Sequence, residues 1–149
     1  MPLTWNFKSF DQLSVKELYA ILRLRNEVFV VEQNCVYQDA DNIDEISFHI
    51  AGWDGTSLVA YCRVIPPGVT FEDASIGRVV TSPGYRNTGA GRELMKLGIQ
   101  FTIEQFNCHY ITISAQLYLQ KFYESLGFVK MGDAYLEDKI PHIKMQLTA

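Results

Sequence analysis

Arg86-Asn87-Thr88-Gly89-Ala90-Gly91 is the stretch of this sequence best suited to chemistry, and that chemistry is anion binding. Residues 75–81 read as a strand, Ser82-Pro83-Gly84 ends it, and Leu94, Leu97 and Phe101 then recur at helical spacing. The glycines therefore open a helix. Without a Cβ, Gly89 and Gly91 let backbone amides approach an anion, and the unpaired N–H groups and positive dipole end of the helix point at it. Arg86 and Arg92 add charge. The other reading is a loop whose glycines only turn a strand into a helix.

Two well-known phosphate motifs are excluded. A dinucleotide fingerprint needs a third glycine where Leu94 stands, and no Gly-x-x-x-x-Gly-Lys-Ser/Thr occurs. What does stand here, Arg-x-x-Gly-x-Gly after a strand and a Pro-containing turn, resembles the acyl-CoA pyrophosphate loop of the GNAT acyltransferase superfamily. Tyr123-Glu124-Ser125-Leu126-Gly127-Phe128 is similar to that family's downstream Tyr-x-x-x-Gly-Phe element. Phe29-Val30-Val31-Glu32-Gln33-Asn34-Cys35 and Leu136-Glu137-Asp138-Lys139-Ile140-Pro141-His142 resemble its ElaA-type branch, so the resemblance spans nearly the whole chain.

Composition bounds the remaining possibilities. With 149 residues and 48% apolar content, residues 1–149 are expected to form a single domain. No apolar run is long enough to span a bilayer and the start lacks the features of a signal peptide, so a cytoplasmic protein without a membrane partner is expected. Three scattered cysteines suggest neither a disulfide framework nor a metal site. A net charge of −4 with no basic run argues against nucleic-acid binding. The acidic run 38–45 lacks calcium-loop spacing and reads as a solvated loop or as a surface selecting a cationic acceptor. Arg63 and Arg78 could bind an acceptor carboxylate or pair with that run.

The elements that must position the loop follow from periodicity. Residues 4–7 suit a strand, and Ser14 and Glu17 have capping-box spacing before a first helix carrying Leu18, Ile21, Leu22, Val28 and Phe29. Runs 46–53 and 57–65 form a hairpin about Asp54-Gly55. The strand at 75–81, a helix from 89 to 106, a strand at 109–114, a helix at 117–126 and strands at 127–131 and 142–147 complete a mixed α/β fold. The resemblance implies more: a GNAT-like central mixed sheet with splayed parallel strands and helices on both faces, the pantetheine arm lying in the splay against Val79, Val80 and Thr81.

The same resemblance implies direct transfer of an acetyl group from the co-substrate acetyl-CoA to the amine of a small acceptor, with no metal. The pyrophosphate would be held by Arg86, Asn87, Thr88, Gly89, Ala90, Gly91 and Arg92. Gln116 stands where the family often has asparagine. Tyr123 matches the tyrosine that donates a hydrogen bond or proton to the departing sulfur, its other reading being a core aromatic. Ser75 occupies the position where some members carry a glutamate base. The base must then come from elsewhere, with Glu32, Glu137, His49 and His142 as candidates of which Glu32 and His142 lead, or a water chain must carry the proton. A silent CoA-binding or regulatory module is the second functional reading. Acceptor identity stays open, as does oligomeric state, a homodimer included.

Overall fold

A computed structural model describes residues 2–149. Strand β1 (Thr4–Ser9) leads to helix α1 (Val15–Arg25), then to the hairpin β2 (Phe48–Asp54) and β3 (Ser57–Ile65), and to β4 (Ser75–Thr81). Helix α2 (Ala90–Phe106), β5 (Tyr110–Gln116), α3 (Gln120–Glu124), β6 (Val129–Lys130), β7 (Tyr135–Glu137) and β8 (Ile140–Thr148) follow. The Ser14 hydroxyl accepts the Glu17 amide at 3.0 Å while the Glu17 carboxylate accepts the Ser14 amide at 2.8 Å, closing the expected capping box. Past α1 the chain continues as a π-helix over Asn26–Glu32, whose wider winding the apolar spacing does not announce.

Strands β1 to β4 form one antiparallel sheet, and β5, β8 and β6 a second, with β7 paired to β8. Helices cover both faces, as expected. On one face Ile21, Leu24, Val28 and Phe29 pack against Tyr61 and Val80. On the other, Leu94 and Met95 of α2 meet Ile50, Cys62, Ile76, Ile111, Ile113 and Met145. The predicted strand 127–131 shortens to two residues, and the polar segment after it contains β7, which the sequence reading left unassigned.

The two sheets meet at parallel strands β4 and β5, and barely. Ala74 bridges Ile111, with the Thr112 amide donating to the Ala74 carbonyl at 3.0 Å, and no ladder continues from there. The strands touch near their starts and part toward Thr81 and Gln116. A bulge in β4 accounts for the divergence. Arg63 faces Gly77 and Tyr61 faces Val80, so Arg78 and Val79 both oppose Cys62. Such an extra residue bends its strand. Arg78 sits in the left-handed region at φ 50°, a conformation an arginine adopts only when held.

Ion pairs hold it. Arg78 reaches Asp39 at 2.9 Å and Asp41 at 3.2 Å. Arg63 pairs with Asp41 at 2.7 Å and Asp44 at 2.9 Å, and the fully buried Arg25 pairs with Asp39 at 2.9 Å and Asp44 at 2.6 Å. The acidic run is therefore not a solvated surface, and its three aspartates are spent on three arginines. Arg63 and Arg78 take the loop-pairing alternative rather than facing an acceptor carboxylate.

Burial on its own would raise the pKa of Asp41, but the Arg63 hydrogen bonds and charge override it and hold the carboxyl at about 2, against an ordinary 3.8. Burial likewise opposes Arg25 and Arg63 at Asp44, and again the arginines prevail and lower it. Since both pKa values are depressed by folding, the unfolded chain binds more protons in acid, and stability decreases as the pH is lowered. We expect the urea midpoint to hold above about pH 4 and drop steadily as pH falls from 3.8 toward 2. At neutral pH, Asp44→Ala strips a partner from both Arg25 and Arg63 and is expected to cost about 3–5 kcal/mol in urea unfolding. A loss under about 1 kcal/mol, the scale of an exposed pair, would show the network to be peripheral.

Candidate active site

The chain leaving β4 turns through Pro83–Tyr85 and enters the glycine loop. Asn87 and Gly89 are both left-handed, at φ 63° and 87°. Gly89 occupies the N-cap of α2, where no side chain caps the helix, and a Cβ built there meets nothing within 4 Å. The first backbone bond of the helix runs from the Glu93 amide to the Gly89 carbonyl, so the amides of Ala90, Gly91 and Arg92 lack helical acceptors. Thr88 Oγ1, which donates to the Tyr85 carbonyl, lies a long 3.4 Å from the Ala90 nitrogen. An exposed, weakly satisfied set of amides at the end of a 17-residue helix fits a phosphate.

The two arginines flanking this loop behave differently. Arg92 leaves the loop: its guanidinium donates to Ser125 Oγ at 2.8 Å and lies over the Phe122 ring at 5.6 Å, tying α2 to α3. Arg86 stays at the loop but is bidentate on the Glu32 carboxylate, one bond measuring 2.6 Å and the second shorter. Those hydrogen bonds, ahead of a small opposing burial effect, hold the Glu32 pKa below the usual carboxylate range. In the free protein, then, Glu32 is held as the ion-pair partner of Arg86.

Glu32 and its neighbour span the open end of the splay. Glu32 grips Arg86, beyond β4, while the Gln33 side chain exchanges hydrogen bonds of 3.1 and 3.3 Å with Gln116 at the end of β5. The end of the π-helix thus straps the mouth between the two strands. Of the β4 residues, Val80 turns its buried side chain toward α1, Val79 packs toward the α2 core, and Ala60 pairs with Thr81. Beyond Ala74 the β5-facing edge of β4 has no strand partner.

Tyr123 lies on the α2 side of the sheet, 5% exposed, edge-on to Phe122 and Phe128 at 5.2 and 5.8 Å. The motif's glycine explains that placement. Gly127 at φ 105° ends the helix in the left-handed region, and the Phe128 amide returns to the Tyr123 carbonyl at 3.1 Å, folding Phe128 back onto the tyrosine. Burial pushes the phenol pKa well above its ordinary value, and no hydrogen bond contributes to the shift.

His142 is on the opposite face. In one row across the sheet Gln116 pairs with His142 and His142 with Tyr135, whose ring stacks on the imidazole at 6.3 Å. His142 Nδ1 sits 2.7 Å from the Ile140 carbonyl, and Nε2 is 3.5 Å from Glu137 Oε2. Glu137 Oε1 accepts from Ser114 at 3.1 Å, and Ser114 also bonds the Tyr135 hydroxyl. Tyr135 has no signal in the sequence because β7 lacks an alternating pattern, and Ser114, on the expected strand β5, gains its role only through Tyr135 and Glu137. His49, by contrast, is consumed structurally, held between the Tyr61 hydroxyl at 2.6 Å and the Asp44 carbonyl at 2.9 Å, and burial lowers its pKa.

Comparisons with known proteins agree with this architecture. Residues 14–149 match the acetyltransferase (GNAT) domain model. Protein ElaA of Escherichia coli is 41% identical over 145 residues, covering 96% of this chain and 95% of that protein. Its crystal structure superposes with a TM-score of 0.91 over 97% of this chain and 99% of that one. An acyl-CoA N-acyltransferase from Pseudomonas aeruginosa superposes at 0.93, with 41% identity over 98% and 99% of the two chains. A glycine loop at a bare helix end, parted parallel strands and this depth of similarity lead to one conclusion: the chain belongs to the GNAT family of acyl-CoA N-acyltransferases and resembles ElaA along almost its whole length.

Proposed function

We propose that this protein, as a single domain, transfers an acetyl group from acetyl-CoA directly to the amine of a small-molecule acceptor. The observation that carries the reading is the β4–β5 splay opening beside a helix N-terminus with free amides. A pantetheine arm laid along the unpaired edge of β4, at Val79–Thr81, would replace the missing strand. The pyrophosphate would then rest on the amides of Gly89–Gly91, with Asn87 and Thr88 shaping the loop. Arg86 is the natural phosphate partner, and a pyrophosphate there competes with the Glu32 carboxylate. Glu32 is in this reading an occupant of the phosphate site in the free protein, not a catalyst.

Ile113 and Ala115 of β5 face the Tyr123 core, while Ser114 and Gln116 face His142. A thioester passing through the splay would therefore have Tyr123 on one side and the Gln116–His142 row on the other. The amine nitrogen attacks the carbonyl carbon from the His142 side, the C–N bond forms, the C–S bond breaks, and the proton shed by nitrogen neutralises the thiolate. A phenol raised above its ordinary pKa is a weaker acid than an ordinary thiol at about 8.5. Tyr123 accordingly serves as a hydrogen-bond donor to the developing thiolate rather than as the net proton source. A dedicated donor is what separates this reading from a silent CoA-binding module.

Two substitutions test it together. Gly89→Val puts a branched side chain at φ 87° and among the phosphate amides, and is expected to weaken acetyl-CoA binding at least about tenfold by calorimetry. Tyr123→Phe keeps the ring and is expected to retain acetyl-CoA affinity while kcat falls about 10²–10³-fold, the usual effect of removing one donor to developing charge. Wild-type kcat in Tyr123→Phe, measured where chemistry limits, would return Tyr123 to a packing role.

A further inference from the structure

The Nδ1 of His142 faces the Ile140 carbonyl at 2.7 Å, and a carbonyl only accepts, so the proton of the neutral ring is on Nδ1. In that neutral form Nε2 is an acceptor, and it points at Glu137 Oε2 across 3.5 Å, the long end of hydrogen-bond range. The imidazole is nine-tenths buried, and its position is fixed by Tyr135 stacking and by cross-strand pairing, while the Glu137 carboxylate is half open to solvent. Ser114 holds the other carboxylate oxygen, so Oε2 keeps its aim.

We infer that Glu137 Oε2 and His142 Nε2 together form the subsite for the ammonium group of the acceptor, and that the acceptor is a primary amine on an apolar body. The inference rests on the acetyl-transfer reading and names its acceptor class. An ammonium satisfies both atoms at once: one N–H donates to Glu137 and another to Nε2. One proton passes from the ammonium to Nε2, leaving a neutral amine and an imidazolium that later releases the proton to solvent. As the C–N bond forms and the C–S bond breaks, a second proton leaves nitrogen and matches the one gained by the thiolate. Glu137, which binds the ammonium and stabilises the imidazolium, replaces the missing glutamate at the Ser75 position by a different route.

The surroundings define the rest of the acceptor. Tyr135, two residues before Glu137 on the same face of β7, is 38% exposed. The Cys35 thiol donates to the Asp138 carbonyl at 3.3 Å, which ties the segment after the π-helix to the β7–β8 turn. The strand arginines that could have held an acceptor carboxylate are committed to Asp39, Asp41 and Asp44. A carboxylate beside the exposed Tyr135 ring suits an arylalkylamine.

Phenethylamine is the probe, with acetyl-CoA as donor. Wild-type protein is expected to acetylate it with a higher kcat/KM than phenylalanine or spermidine. Losing a charged hydrogen bond in Glu137→Gln should raise the KM for phenethylamine about ten- to a hundredfold, with the KM for acetyl-CoA unchanged and Glu137→Asp recovering part of the loss. With three histidines in the chain, the His142 ring is resolvable by long-range 15N–1H NMR, and it should show the Nδ1–H form and shift with phenethylamine in wild type but not in Glu137→Gln. An unchanged amine KM in Glu137→Gln, or a preference for phenylalanine or spermidine, overturns the subsite. Failure of the parent reading looks different: no acetyl transfer to any amine and no acetyl-CoA binding lost in Gly89→Val.

Discussion

The network joining Arg25, Arg63 and Arg78 to Asp39, Asp41 and Asp44 is the constraint on which the rest of the molecule depends. It holds Arg78 left-handed at the bulge, the bulge bends β4, and the bend parts β4 from β5. It also ties the segment after the π-helix to β3, which sets Glu32 and Gln33 across the mouth of the splay. Replacing such a network with apolar residues often leaves stability unharmed, so its value here lies in geometry.

The splay creates a site with two chemically distinct sides. Toward α2 and α3 it is apolar and carries one neutral donor, Tyr123, buried among Phe122 and Phe128. Toward α1 it is polar and carries His142, Glu137, Ser114 and Gln116. In the proposed reaction a thioester held between them would meet a donor for its sulfur from one side and an amine from the other. Arg86 would link recognition to that arrangement, because the carboxylate it holds in the free protein belongs to the strap over the opening.

Much of this was legible from the sequence, and the exceptions have physical causes. Ser14 with Glu17, Asp54-Gly55 and the glycine loop act through local backbone chemistry, and each marks its element. The Tyr123-to-Phe128 motif is equally local, since Gly127 must be left-handed for Phe128 to return. Two features were not legible, one for a long-range reason and one for a local reason. The acidic run seemed solvated because its arginines arrive from α1, β3 and β4. Strand β7 was hidden because its turn, Asp138-Lys139, adopts left-handed conformations at φ 49° and 67° without the usual glycine or asparagine, and its three residues are exposed. Glu32 stood out as a site residue, but its role depends on Arg86, fifty-four positions away.

The most direct test of the account is a crystal structure of the protein with bound acetyl-CoA. It should show the pantetheine arm between β4 and β5, the pyrophosphate on the amides of Gly89–Gly91, Arg86 released from Glu32, and the thioester sulfur within hydrogen-bond reach of the Tyr123 hydroxyl. Acetyl-CoA found elsewhere, with the Glu32–Arg86 pair intact and β4 and β5 still empty between them, would contradict it.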